Sequence, residues 1–196
     1  AIGAAMAEER GLTLIKPFDD PLVIAGQGTT GLEIAQQAAE AGIARADVIA
    51  CCGGGGLTSG IALALEAEAP GLRARTAEPE GFDDAARSLA AGEITRNAAL
   101  GGSICDAIVT PQPGDLTFPI LKRLCGPGLV VSDAEALQAI GHAFNRLKLV
   151  AEPGGAVALA AALFRQDEID GDDVIVTISG GNVDSDIFSR ALATLD

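Results

Sequence analysis

The stretch Asp47-Val48-Ile49-Ala50-Cys51-Cys52-Gly53-Gly54-Gly55-Gly56-Leu57 decides the fold. After Asp47 the run is uncharged and apolar, which predicts a buried strand, and it passes straight into four glycines and a helix from Leu57 to Ala69, closed by Pro70. Four successive residues without a Cβ let the backbone turn tightly and aim several N–H groups at one point. The helix N-terminus that follows adds partial positive charge. A plain connection needs one or two glycines, and four cost backbone entropy, so Gly53 to Gly56 predict a cup for a phosphate-sized anion. No Lys-Ser/Thr pair follows, so the segment departs from a nucleotide-triphosphate loop.

Outward from this unit, strand, turn and helix repeat, the signature of α/β construction around a parallel sheet. Strands are predicted at Leu12 to Ile15, Arg73 to Ala77, Ala107 to Thr110, Leu129 to Val131 and Asp173 to Ile178. Helices are predicted at Gly31 to Ala41, Asp83 to Ala91, Leu116 to Leu124, Ala156 to Phe164 and from Asp184 onward. Ser132 caps a further helix running to Lys148, with Glu135 closing a capping box. The fold class is therefore α/β, a three-layer parallel sheet with helices on both faces. Ala4 to Arg10, stopped by Gly11, reads as the last turns of a helix, so the chain is expected to be a C-terminal portion of something longer.

Composition bounds the function. The 196 residues are 48% hydrophobic and 20% charged, which is enough for a sizeable core. Thirteen Lys and Arg against 27 Asp and Glu leave a net charge of −14, which argues against nucleic acid and anionic membrane surfaces as partners. The longest apolar run, Ala156 to Phe164, is far short of the roughly 20 residues of a spanning helix. Four cysteines without disulfide or zinc spacing fit a reducing cytoplasm. The single His142, mid-helix with no metal-ligand partner one turn away, leaves little for metal chemistry and reads as a surface or satisfied core residue.

Three other segments could carry chemistry. Gly26-Gln27-Gly28-Thr29-Thr30-Gly31 matches a dinucleotide fingerprint after the apolar run Leu22 to Ala25. The acid expected at the carboxyl end of the next strand is replaced by Cys51 and Cys52, and Asp47 stands at the other end, so a nicotinamide-dependent oxidoreductase rests on these glycines alone. Ser179-Gly180-Gly181-Asn182 is a second strand end, where a serine hydroxyl can hydrogen-bond a ring nitrogen without protonating it, or simply make a turn. Glu78 and Asp84, with a backbone carbonyl between them, can gather oxygen ligands for Mg²⁺, Mn²⁺ or Ca²⁺. Alternatively, Asp83 and Asp84 merely stabilise the start of a helix. Glu152, before Pro153-Gly154-Gly155, is open to both a structural and a site reading.

Taken in order, Pro17-Phe18-Asp19-Asp20-Pro21, Val23 to Thr29, Gly53-Gly54-Gly55-Gly56-Leu57, Glu78-Pro79, Glu152-Pro153-Gly154-Gly155-Ala156 and Ser179-Gly180-Gly181-Asn182 resemble the fold type II pyridoxal-phosphate enzymes, specifically the threonine/serine dehydratases and serine racemases. The resemblance runs nearly the whole chain. It implies that Gly53 to Gly56 and Leu57 cradle the phosphate of pyridoxal 5′-phosphate, that Ser179 faces the pyridine nitrogen, and that Glu152 is the acidic residue near the ring. It places a divalent cation at Glu78, the Phe82 carbonyl and Asp84. Residues 1–15 would be the tail of the small domain, and 16–196 an incomplete large cofactor-binding domain. The implied activity is loss of water and ammonia from L-threonine or L-serine to give a 2-oxo acid, in a cytoplasmic homodimer with a small amino-acid substrate. The end of the chain at Asp196 is more like the short catabolic type. A racemase of the same family is the nearest alternative; a non-catalytic module that binds a phosphorylated ligand is a further one. One departure stands out. The family's Schiff-base lysine lies N-terminal of all these motifs, and Lys16, Lys122 and Lys148 do not match its position, so this chain alone is expected to be inactive.

Overall fold

The computed structural model describes residues 2–171 and 173–195. At its centre is β1 (Ala46–Cys51), buried along its whole length. On one side it pairs in parallel with β2 (Leu72–Pro79), Cys51 opposite Ala77. On the other it pairs in parallel with β4 (Val174–Val176), Ile49 opposite Val176. β3 (Leu129–Val131) continues the sheet beyond β2, giving the order β3-β2-β1-β4.

Strand side chains alternate between two faces, and both faces are covered. Ile49, Cys51, Ala77, Leu129 and Val131 pack with residues of α6 (Asp133–His142), α7 (Pro153–Phe164) and α8 (Ser185–Leu192). Val48, Ala50, Leu72 and Ala74 pack with α2 (Pro21–Glu40) and α3 (Gly56–Glu68). These are the three layers expected from the sequence. α1 (Ile2–Arg10) buries none of its residues, α4 (Asp84–Ala91) follows β2, and α5 (Thr117–Leu124) precedes β3. Among the described residues no helix is long and apolar enough to cross a membrane.

Capping chemistry explains several boundaries. Asp20 accepts from the N–H groups of Leu22 and Val23 while Pro21 takes the first helical position of α2. Ser132 and Glu135 form the expected capping box, with Arg165 paired to the Glu135 carboxylate from across the layer. That helix ends at His142 and continues only as a π-turn, residues 143–147, stopped by Lys148 in the left-handed region at φ 59°.

Two strand expectations fail, and the glycine fingerprint that already lacked its acidic partner takes another role. Residues 12–15 are exposed coil rather than a strand, because no neighbouring strand among the described residues offers them a ladder. Residues 107–110 form no strand either: Asp106–Ile108 is a 3₁₀ turn packed beside Gly53, whose Cβ would stand 3.1 Å from the Ile108 carbonyl. The glycines of Gly26 to Gly31 lie inside α2 and not in a strand-to-helix turn, so they cannot cradle a dinucleotide. Instead α2 and α3 approach through them: a Cβ on Gly31 would lie 2.7 Å from that of Ala64, and one on Gly28 would lie 3.4 Å from the Gly60 carbonyl. Asp47 is committed elsewhere, to Arg73 and Arg75 at the amino end of the sheet. Burial raises its carboxyl, and hydrogen bonds from the two guanidinium groups outweigh this and hold it below the usual range.

Candidate active site

β1 and β4 run in parallel, so their carboxyl ends open on the same edge of the sheet. A cavity of about 350 Å³ lies there, lined by Gly53 to Gly56, Leu57, Cys51, Ser179, Phe18, Ile108 and Thr110 among others. The structure thus brings the glycine cup and Ser179 together from segments far apart in sequence.

The cup is made by the packing around it. Gly55 sits at φ 94°, where a side chain would be strained, and its Cβ would stand 2.9 Å from Leu121. A Cβ on Gly54 would run into the Phe18 ring, and one on Gly56 would stand 2.9 Å from Phe18 Cβ. The buried Thr117 hydroxyl donates to the Gly54 carbonyl at 2.6 Å, and the Gly114 N–H donates to the same oxygen at 3.1 Å. The turn from Pro17 to Pro21 has three jobs: Phe18 packs on the cup, Asp19 accepts from Leu116 N–H at 2.8 Å, and Asp20 caps α2. Among the described residues no side chain caps α3, so its first N–H groups are available to an anion. Among the described residues lining the cavity there is no Lys or Arg.

Ser179 is half-buried, and its N–H donates to the Gly155 carbonyl at 3.2 Å. The chains cross so closely there that a Cβ on Gly155 would overlap the Ser179 carbonyl. Ser179 Oγ lies 2.7 Å from Cys51 Sγ. Glu152 lines a smaller neighbouring cavity of about 210 Å³ with Ser103, Asp106, Asn182 and Asp184. Its carboxylate accepts from Asn182 N–H at 3.0 Å, and Gly180 at φ 76° leaves room for it, so Glu152 braces the turn that carries Ser179.

Glu78 and Asp84 form a separate buried pair. Both Glu78 oxygens accept backbone N–H groups at the start of α4, from Ala85 at 2.8 Å and Ala86 at 2.7 Å. Glu78 therefore does the capping that Asp83 does not, since Asp83 makes no side-chain cap hydrogen bond. Burial pushes Glu78 well above the usual carboxylate range, those N–H groups oppose this, and Asp84 adds to it. Asp84 accepts from Asn97 at 2.6 Å through Oδ1, while its buried Oδ2 has no partner among the described residues. Burial lifts its pKa to about 6. Phe82, buried between them in sequence, adds one carbonyl. Among the described residues no cluster of three or more His, Cys, Asp or Glu side chains could hold a metal ion, so two carboxylates and a carbonyl are what this region offers.

A four-glycine turn at the end of a central parallel strand, with a serine across the cavity from it beyond the end of the neighbouring strand, is a specific combination. The profile of the pyridoxal-phosphate dependent enzymes matches residues 1–181. The chain belongs to this family. It is 38% identical over 190 residues to the serine racemase of Dictyostelium discoideum, covering 95% of this chain and 57% of that protein. It is 40% identical over 178 residues to the L-threonine ammonia-lyase of Geobacter sulfurreducens, covering 90% and 43%. Its fold superposes on the crystal structure of a threonine deaminase from T.th. with a TM-score of 0.88 at 44% identity, covering 93% of this chain and 61% of that one. The chain spans about half the length of the curated relatives it matches.

For a pyridoxal-phosphate dependent enzyme the residues present fit the phosphate and the ring but include no covalent anchor. Lys16 lies near Asp19 at 4.0 Å, Lys122 donates to the Gly92 carbonyl and Lys148 to that of Asn145, and none of them lines the cavity. Sequence reasoning missed Phe18, Thr117 and Cys51 as parts of the site. Phe18 stood within the Pro17 to Pro21 motif without a site role, Thr117 acts by packing and hydrogen bonding to glycine, which leaves no motif, and Cys51 lay hidden inside an apolar strand.

Proposed function

We propose that the whole protein is a pyridoxal-phosphate dependent lyase that removes water and ammonia from L-threonine or L-serine to give a 2-oxo acid. The observation that carries this reading is the cavity that holds both Gly53 to Gly56 and Ser179. Similarity to an L-threonine ammonia-lyase and a threonine deaminase supports the substrate class. Bound there, the cofactor supplies an electron sink that acidifies the hydrogen on the amino-bearing carbon. Backbone N–H groups of Gly53 to Gly56 and Leu57 hold its phosphate without any basic side chain. Ser179 hydrogen-bonds the ring nitrogen and, being no acid at neutral pH, leaves it unprotonated. Glu152 keeps the Ser179 turn in place beside the ring. The anchoring lysine comes from the part of the relatives' length that this chain does not span.

Residues 1–15 are then the tail of the small domain and 16–196 most of the large one, which the unburied α1 supports. Exposed Leu12, Leu14, Ile15 and Leu22 support a homodimer, and four free cysteines support a cytoplasmic protein. Glu78, the Phe82 carbonyl and Asp84 take Mg²⁺, Mn²⁺ or Ca²⁺, a reading supported by the unpartnered Asp84 oxygen. A second reading, serine racemisation, is favoured by the similarity to a serine racemase. The test is to supply L-threonine and L-serine, with free cofactor, to this chain and to the protein as its gene encodes it. The proposal expects 2-oxobutanoate and pyruvate from the latter and none above a no-protein control from the former. D-serine without pyruvate would favour the racemase, and no product from either would overturn both readings.

A further inference from the structure

Ala107, Ile108 and Thr110 form the wall of the cavity that lies against Gly53, whose Cβ would stand 3.1 Å from the Ile108 carbonyl and 3.3 Å from Thr110 Cγ2. This wall belongs to no strand among the described residues, so no ladder fixes it and other groups must hold its backbone. Two side chains that do not line the cavity hold the loop that carries it. Asp133, at the start of α6, accepts from the Ser103 hydroxyl at 2.6 Å and from the Ile104 N–H at 3.1 Å. Asn97 closes the other end. Its backbone N–H donates to the Pro111 carbonyl at 2.9 Å, and its side-chain nitrogen donates to the Thr110 carbonyl at 2.8 Å. The same nitrogen donates to Asp84 at 2.6 Å, and the side-chain oxygen accepts from Arg87. With two acceptors at the nitrogen and a guanidinium at the oxygen, the amide can face only one way. Asp84 and Arg87 both stand on α4, whose Ala85 and Ala86 N–H groups are held by Glu78 of β2. Support therefore runs from the sheet through α4 and Asn97 to the wall of the cavity.

We infer that Asn97 is a positioning residue for cofactor binding: by holding Thr110 and Pro111 it keeps the wall from Ala107 to Thr110 against Gly53, so that the first glycine of the cup stays in the shape that receives the phosphate. This rests on the reading that the cofactor occupies this cavity. Asn97 does not line the cavity and acts on it only through the wall.

The test uses the protein as its gene encodes it, with Asn97→Ala, the isosteric Asn97→Asp and Ser179→Ala. Binding of pyridoxal 5′-phosphate is measured by equilibrium dialysis, and amide hydrogen exchange of the cofactor-free proteins is followed by mass spectrometry over residues 104–112 and over β1. Asn97→Ala is expected to weaken cofactor binding about tenfold and to speed exchange in residues 104–112 while β1 keeps its protection. Asn97→Asp keeps the volume and the acceptor for Arg87 but turns an oxygen towards Asp84 and the Thr110 carbonyl, so it should bind at least as weakly as Asn97→Ala. A side chain that merely filled space would tolerate this change. Where Ser179→Ala weakens binding, wild-type affinity in either Asn97 variant, or an equal loss of protection in the wall and in β1, would overturn the inference and leave the ring site in place. Wild-type affinity in Ser179→Ala would overturn the ring site and the inference together. Should either Asn97 variant not fold, Asn97→Ser, too short to reach both acceptors, is read in its place with the outcomes of Asn97→Ala.

Discussion

Asp84 carries a cost that pH exposes. It is fully buried and one of its oxygens is unpartnered among the described residues; burial, with a smaller push from the Asp83 charge, lifts its pKa from an ordinary 3.8 to about 6. Between about pH 4 and 6 the folded chain holds a proton that the unfolded chain has released, so stability falls as pH rises through that window and stays lowered above it. Asp84→Asn keeps an acceptor for Asn97 and removes the buried charge. In chelator it should gain about 2 kcal/mol in urea denaturation at pH 7.5 and nothing at pH 4. A divalent cation at the proposed site would offset the same cost in the wild type, so Mg²⁺ or Mn²⁺ should raise the wild-type Tm at pH 7.5 and leave Asp84→Asn unmoved. Equal shifts in both proteins would put the ion elsewhere.

At the scale of elements, the glycine-rich half of α2 belongs to the contact with α3. A Cβ on Gly26 would face open space, whereas one on Gly31 would stand under 3 Å from Ala64 Cβ and the Ile61 backbone. Gly26→Ala should therefore stabilise the chain by about 0.5–1 kcal/mol through helix propensity. Gly31→Ala should cost about 2–3 kcal/mol by pushing the helices apart. Urea melts that show the same sign for both would contradict this helix contact. These residues mark where the sequence is legible and where it is not. β1, β2, β3, the capping box at Ser132 and the helix after the four glycines could be read because apolar runs and caps are local signals. The helical state of residues 21–30 could not, since Gly26 and Gly28, with Gly31 next to them, mimic a loop unless the partner helix is known. Leu12 to Ile15 alternate like a strand but have no strand to pair with among the described residues, and that is a tertiary fact. In the site, the cup and Ser179 stood out as strand ends. The brace from Glu152 to Asn182 arises only when the start of α7 meets the turn after β4, and the Cys51–Ser179 contact only when β1 and β4 pair.

The chain carries a net charge of −14, yet it is proposed to hold a phosphate in a cavity whose described lining includes no Lys or Arg. Only oriented backbone N–H groups and the start of α3 can do that, which is why the glycines must be packed so firmly from Phe18, Leu121 and Thr117. The same arrangement leaves cofactor capture independent of any lysine in this chain, so phosphate binding and covalent anchoring are separable. The most direct test of this account is a crystal structure of the protein as its gene encodes it, grown with pyridoxal 5′-phosphate. The account predicts the phosphate on the N–H groups of Gly53 to Gly56, with the ring nitrogen within hydrogen-bonding distance of Ser179 Oγ. Cofactor density ordered elsewhere, with Gly53 to Gly56 bare, would contradict it.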